Sequence, residues 1–166
     1  MLLVAGFETT TNLLGNGLAL LFGHASVRAA LTAGELRAAD FVEEVLRHDS
    51  PVQLTSRIAL RDGLDVEGLA LPRHGEVLLL IGAANRDPAR YPEPQRFDPW
   101  RAETGSLSFG AGIHYCVGAM LARLEATVAF PRVLARFPAL TQAPGATRHD
   151  RLLLRGYGEL PVLLGD

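Results

Sequence analysis

The sequence contains no lysine: all sixteen of its Lys+Arg positions are arginine. Set against eighteen Asp+Glu, they leave a formal net charge of −2. The surplus of positive charge that marks a nucleic-acid binder is missing. Only one cysteine is present, Cys116. That excludes an internal disulfide framework and any centre built from several thiolates. No unbroken run of about 18 apolar residues occurs. The most apolar stretch, residues 1–22, is interrupted by Glu8, Thr9, Thr10, Thr11, Asn12 and Asn16. It also lacks the basic leading segment and small-residue cleavage site of a secretory signal. A soluble, cytoplasmic chain with no membrane or nucleic-acid partner is the expectation.

What is present suffices for a core. With 48% hydrophobic and 20% charged residues over 166 positions, the chain fits one packed domain spanning 1–166. Residues 1–22 predict a helix apolar nearly all round, hence central. Ser26 is placed to cap a short helix over residues 27–32. Asp40 with Glu43 three residues later predicts a further helix, which Pro51 closes. Residues 56–60, 65–71 and 77–81 lean towards strand, with Arg61-Asp62-Gly63 as a tight turn. Residues 85–108 carry Pro88, Pro92, Pro94, Pro99 and Gly105 and show no regular pattern. So long an irregular stretch is functional or ordered by specific contacts. A helix over residues 120–137 follows, then short strands at 151–155 and 160–164 around a glycine-rich turn.

The chemistry concentrates in Phe109-Gly110-Ala111-Gly112-Ile113-His114-Tyr115-Cys116-Val117-Gly118. Two glycines before the cysteine permit backbone bends that a Cβ resists, and Gly118 permits close approach of a bulky group. The cysteine falls just before a predicted helix, where free N–H groups and the helix dipole stabilise a thiolate. A thiolate so placed suits the axial position of haem iron. Taken alone, a single cysteine is more often a small buried hydrophobe. A dinucleotide loop fails because Tyr115 stands where a third glycine is needed. Zinc fails because His114 and Cys116 make too few ligands.

These ten residues resemble the cysteine-ligand signature of the cytochrome P450 family, F-G-x-G-x-H-x-C-x-G. Ala5-Gly6-Phe7-Glu8-Thr9-Thr10 resembles the family's oxygen-activation motif, and Glu44-Val45-Leu46-Arg47 its E-x-x-R pair. Asn85-Arg86-Asp87-Pro88 and Pro94-Gln95-Arg96-Phe97-Asp98-Pro99 resemble the meander, with Gln95 where many relatives carry an acid. Gly156 to Val162 resembles the terminal β-hairpin. Four motifs in the family's order make chance implausible. The fold implied is mainly α with small β-sheets, the C-terminal portion of the P450 fold from the central distal helix to the terminal hairpin.

The resemblance implies that Cys116 is the proximal thiolate ligand of haem b, with Phe109 shielding the sulfur and Gly110 and Gly118 shaping its loop. Glu8 and Thr9 become an acid–alcohol pair relaying protons to dioxygen. Ala5 and Gly6 let the distal helix lie close over the macrocycle. Arg57 and His114 face the propionates, and Glu44, Arg47 and Arg96 form a structural ion-pair cluster. The activity implied is monooxygenation of a small organic substrate by O2, fed with NAD(P)H electrons by a reductase and a ferredoxin-like donor. The chain is less than half of a typical member, so a C-terminal fragment that binds haem poorly alone is a further expectation. Two alternatives are a non-catalytic haem-binding remnant and a thiol-dependent enzyme using Cys116 with His114.

Overall fold

Helix α1 (Leu2–Gly23) opens the chain, followed by α2 (Ala25–Ala33) and α3 (Ala38–His48). The computed structural model describes residues 2–103 and 105–165, with side chains from Ala5 onward; Met1 of the expected first helix lies outside them. Next come β1 (Thr55–Ile58), β2 (Leu64–Val66), β3 (Leu69–Leu71), β4 (Glu76–Leu79) and the short α4 (Ile81–Ala84). An irregular stretch leads to α5 (Ala119–Arg136) and the tail strands β5 (Thr141–Gln142), β6 (Thr147–Arg148), β7 (Tyr157–Glu159) and β8 (Val162–Leu163). Among the described residues the four sheets are all two-stranded and antiparallel: β1 with β4, β2 with β3, β5 with β8 and β6 with β7. The architecture is the expected mainly α fold with small sheets.

The core lies where α1, α3 and α5 meet. Leu13 and Leu21 of α1, Phe41 and Val45 of α3 and Phe130 of α5 are all buried. Each such side chain contributes about 1.5–3 kcal/mol relative to exposure. Phe41 and Phe130 meet edge-on at 5.0 Å between ring centroids, the geometry that ring quadrupoles favour. α1 approaches α5 closely because residue 17 is glycine: a Cβ there would sit 2.3 Å from the Phe130 ring.

Several local expectations are corrected. Ser26 caps nothing; α2 starts at Ala25 with His24 at its N-cap, whose Nδ1–H donates to the Leu20 carbonyl at 2.8 Å. Asp40 lies inside the first turn of α3, and the N-cap is Arg37, whose guanidinium holds the Asp40 carboxylate. Residues 65–71 form a hairpin, not one strand, because Glu67 and Gly68 both take positive φ (51° and 83°); paired positive φ values favour a two-residue hairpin loop. Ile81 begins α4 instead of ending a strand. The tail hairpin does not close within residues 156–162: its arms are 141–148 and 157–163. Of the expected strand at 151–155, the Leu154 bridge to Val52 remains.

Candidate functional site

A cavity of about 280 Å³ separates α1 from the loop that carries Cys116. Ala5 and Thr9, one helical turn apart, supply the α1 wall; Phe109, Gly110, His114 and Cys116 supply the opposite one, with Arg57 also lining it. The alternation of β1 turns Thr55 and Arg57 inward and Ser56 and Ile58 outward. Arg57 donates to the Ser56 carbonyl (2.7 Å) and the Thr55 hydroxyl (3.3 Å). Both acceptors are neutral, so these bonds leave the guanidinium charge uncompensated. Thr9 Oγ1 donates to the Ala5 carbonyl at 2.7 Å, which leaves its lone pairs free to accept a proton.

The cysteine loop is ordered from behind by a buried hydroxyl. Ser108 Oγ donates to the Leu46 carbonyl of α3 (2.6 Å) and accepts from Ser50 Oγ (2.9 Å) and Asn85 Nδ2 (2.9 Å). Asn85 Oδ1 in turn accepts from the Leu107 N–H at 2.7 Å. One donation and two acceptances use the hydroxyl fully. The loop then turns through Gly110 and Gly112, at φ +71° and +63°, values that favour glycine. The Cys116 N–H donates back to the Phe109 carbonyl (2.9 Å), closing the loop. A Cβ on Gly118, the N-cap of α5, would meet the cysteine Sγ at 3.9 Å. Arg123 of α5 lies 4.4 Å over the Phe109 ring and donates to Tyr115 Oη (3.1 Å). Its hydrogen bond to Glu43 raises its pKa, and that charge clamps the loop to α3 and α5.

Two α1 residues lie elsewhere than expected. Glu8 does not share the cavity of Thr9, which Ala5, Thr9, Thr10 and Leu13 line from α1. Glu8 lines a different pocket, beside Phe7, Thr11, Asn12, His149, Tyr157 and Gly158, and is ion-paired with Arg151 of the tail. Gly6 lines a groove between α1 and α5, not the Cys116 cavity. Ala5 alone of the expected small pair faces the cavity.

The structural ion cluster also differs by one member. Glu44 and Arg47, buried on α3, form two hydrogen bonds of 2.7 Å. The second arginine on Glu44 is Arg101, with Nε at 2.9 Å. Arg96 supplies only its carbonyl, to Arg47 (3.0 Å) and Arg101 (3.2 Å). Its own side chain is 62% exposed, near Glu93 and Asp98. Arg101, Ser108, Arg123 and Arg151 were missed from sequence, and Asn85 was read only as part of the meander. The available signal was a polar or charged residue inside or beside each motif.

The donor set of the cavity fits haem. Among the described residues no group of three or more His, Cys, Asp and Glu is gathered to hold a metal ion. A macrocycle that brings its own nitrogen ligands needs only one from the protein, and Cys116 supplies a single soft donor. Apolar walls, a small residue at position 5 and cationic Arg57 suit a flat apolar ring with an anionic edge.

Fold and cavity together define a helical domain that presents one thiol to an apolar pocket beneath a central helix. The family model for cytochrome P450 matches residues 1–153, and the chain belongs to that family. It is 46% identical over 99% of its length to "Putative cytochrome P450 140" of Mycobacterium tuberculosis, covering 38% of that protein. It is 42% identical, over 99% of its length and 41% of the relative's, to 6-deoxyerythronolide B hydroxylase of Saccharopolyspora erythraea. The crystal structure of Mycobacterium smegmatis CYP164A2 superposes with a TM-score of 0.91 at 45% identity, over 97% of this chain and 41% of that one. The chain thus spans about two fifths of the relatives it matches.

Proposed function

We propose that this chain carries the haem-ligating part of a monooxygenase, in which the Cys116 thiolate would hold the iron of haem b. The single observation behind this reading is that Cys116, Arg57 and Thr9, far apart in sequence, line one apolar cavity. When bound, haem supplies the redox chemistry that puts one oxygen atom of O2 into an organic substrate and the other into water. Cys116 holds the iron, and Phe109 under Arg123 keeps its loop in place. Arg57, with His114 beside it, recognises the carboxylate edge. Thr9 accepts and passes a proton at Oγ1. Relatives named as a hydroxylase and as a monooxygenase support this class of reaction. NAD(P)H electrons come through a reductase and a ferredoxin-like donor. No helix among the described residues is long and apolar enough to cross a membrane.

Haemin titrated into the 166-residue chain, followed by reduction under carbon monoxide, tests the assignment. A red-shifted, thiolate-type Soret band is expected, weak because the chain supplies part of the fold, and lost in Cys116→Ala. A spectrum indifferent to that substitution overturns the reading.

A further inference from the structure

A separate pocket of about 240 Å³ lies between α3 and residues 99–106. It shares no lining residue with the Cys116 cavity. Ligand pockets for drug-sized molecules run to about 300–1,000 Å³, so this one suits a single compact headgroup. Its walls carry carboxylates in different states. Glu44 is engaged by Arg47 and Arg101, and Glu43 by Arg123. Asp40 keeps a pair with Arg37 that is exposed and therefore weak. The Glu103 side chain has no hydrogen bond or ion pair among the described residues. Trp100, 55% exposed, lines the same pocket. So does Ser106, whose hydroxyl oxygen is shielded from solvent and has no hydrogen-bond partner. A buried hydroxyl left unpaired is uncommon in proteins and calls for a partner.

These groups converge on one ligand chemistry. The loosely held carboxylates select a cation, and an indole is the best aromatic face for one. A bare metal ion is not matched, since among the described residues no three His, Cys, Asp or Glu are gathered to hold it. A guanidinium is flat enough to stack on an indole, and its fork of N–H donors reaches several oxygens at once. We propose that this pocket binds a guanidinium group, stacked on Trp100 and donating to Glu103, Asp40 and Ser106 Oγ. The inference does not depend on the haem assignment.

Trp100 is the only tryptophan, so its fluorescence reads the pocket directly, with calorimetry as a second readout. Methylguanidinium chloride titrated into the 166-residue chain at constant ionic strength is expected to bind saturably, with a Kd of about 1 mM. Glu103→Gln weakens binding about tenfold, the effect of losing one bond to a charged group, and leaves the circular dichroism unchanged. Ser106→Ala weakens it several-fold, and Glu159→Gln on β7 has no effect. Methylammonium, which lacks the flat face, binds several-fold more weakly. A blocked tripeptide with a central arginine that binds as well as methylguanidinium assigns the group to a protein side chain. Free arginine binding where that peptide does not assigns it to a small ligand. The absence of saturable binding, equal affinity for methylammonium, or an unchanged Kd in Glu103→Gln overturns the proposal.

Discussion

Glu44 is a carboxylate almost without water, at 3% exposure. It is held by both Arg47 nitrogens, by Arg101 Nε and by the Asp98 N–H at 2.8 Å. Desolvating such a charge costs several kcal/mol, so each partner that compensates it matters far more than a surface pair. Arg101→Ala is expected to destabilise the chain by about 1–3 kcal/mol, the cost of one lost bond to a buried charge that keeps Arg47. Arg96→Ala is expected to change stability by no more than about 0.5 kcal/mol, as a solvated surface substitution does. Urea unfolding of the two variants separates them; equal losses would refute the assignment of Arg101. Glu44 and Arg47 were legible beforehand because a spacing of three puts them on one helical face. Arg101 was not, because its meeting with Glu44 depends on how residues 98–101 fold back onto α3. The same holds for Ser108, whose partners come from residues 46, 50 and 85.

At the scale of elements, α1 followed from its apolar content and residues 120–137 also read as helix, whereas the short strands depended on turns that periodicity does not reveal. The end of α3 meets the irregular stretch through His48, whose Nε2–H donates to the Gln95 carbonyl at 3.0 Å. Arg86 bonds the His48 carbonyl, and Phe97 packs edge-on to the imidazole at 5.4 Å. Burial, the largest influence, holds the His48 pKa below 6.5; Arg86 and Arg47 push the same way, and the Gln95 carbonyl and Glu44 oppose them. The folded chain therefore keeps His48 neutral where the unfolded chain takes up a proton. Stability is complete above pH 6.5 and falls as the pH drops through the window below it. Thermal unfolding between pH 7.5 and 5.5 is expected to show this loss, flattened in His48→Gln; an identical slope in that variant would refute the role of His48.

Across the whole molecule, the two ends of the chain are fastened to one another. The tail crosses residues 49–53, with the Arg155 N–H on the Pro51 carbonyl (2.8 Å) and the Gln53 N–H on the Leu153 carbonyl (2.9 Å). Asn16 of α1, fully buried, donates to the carbonyls of Asp49 (3.0 Å) and Arg155 (3.2 Å). Gly156 lies so close to α1 that a Cβ would fall 2.0 Å from Asn12 Oδ1. Asp49 joins the three segments: its carboxylate takes Arg148 at 2.7 Å and Arg155 at 3.7 Å, while its carbonyl receives Asn16. The ion pair holds residues 147–163 down, because β5 to β8 are each only two or three residues long. Strand pairs that short are marginal on their own. Asp49→Asn keeps the shape and removes the charge, at a cost of about 1–3 kcal/mol, borne mostly by the tail. Trypsin, which cuts after arginine, is then expected to cleave at Arg148, Arg151 and Arg155 several-fold faster. Cleavage after Arg132 in α5 should barely change, since the helix bundle does not depend on the latch. Equal acceleration at all four sites would show that Asp49 supports the whole fold and not its tail.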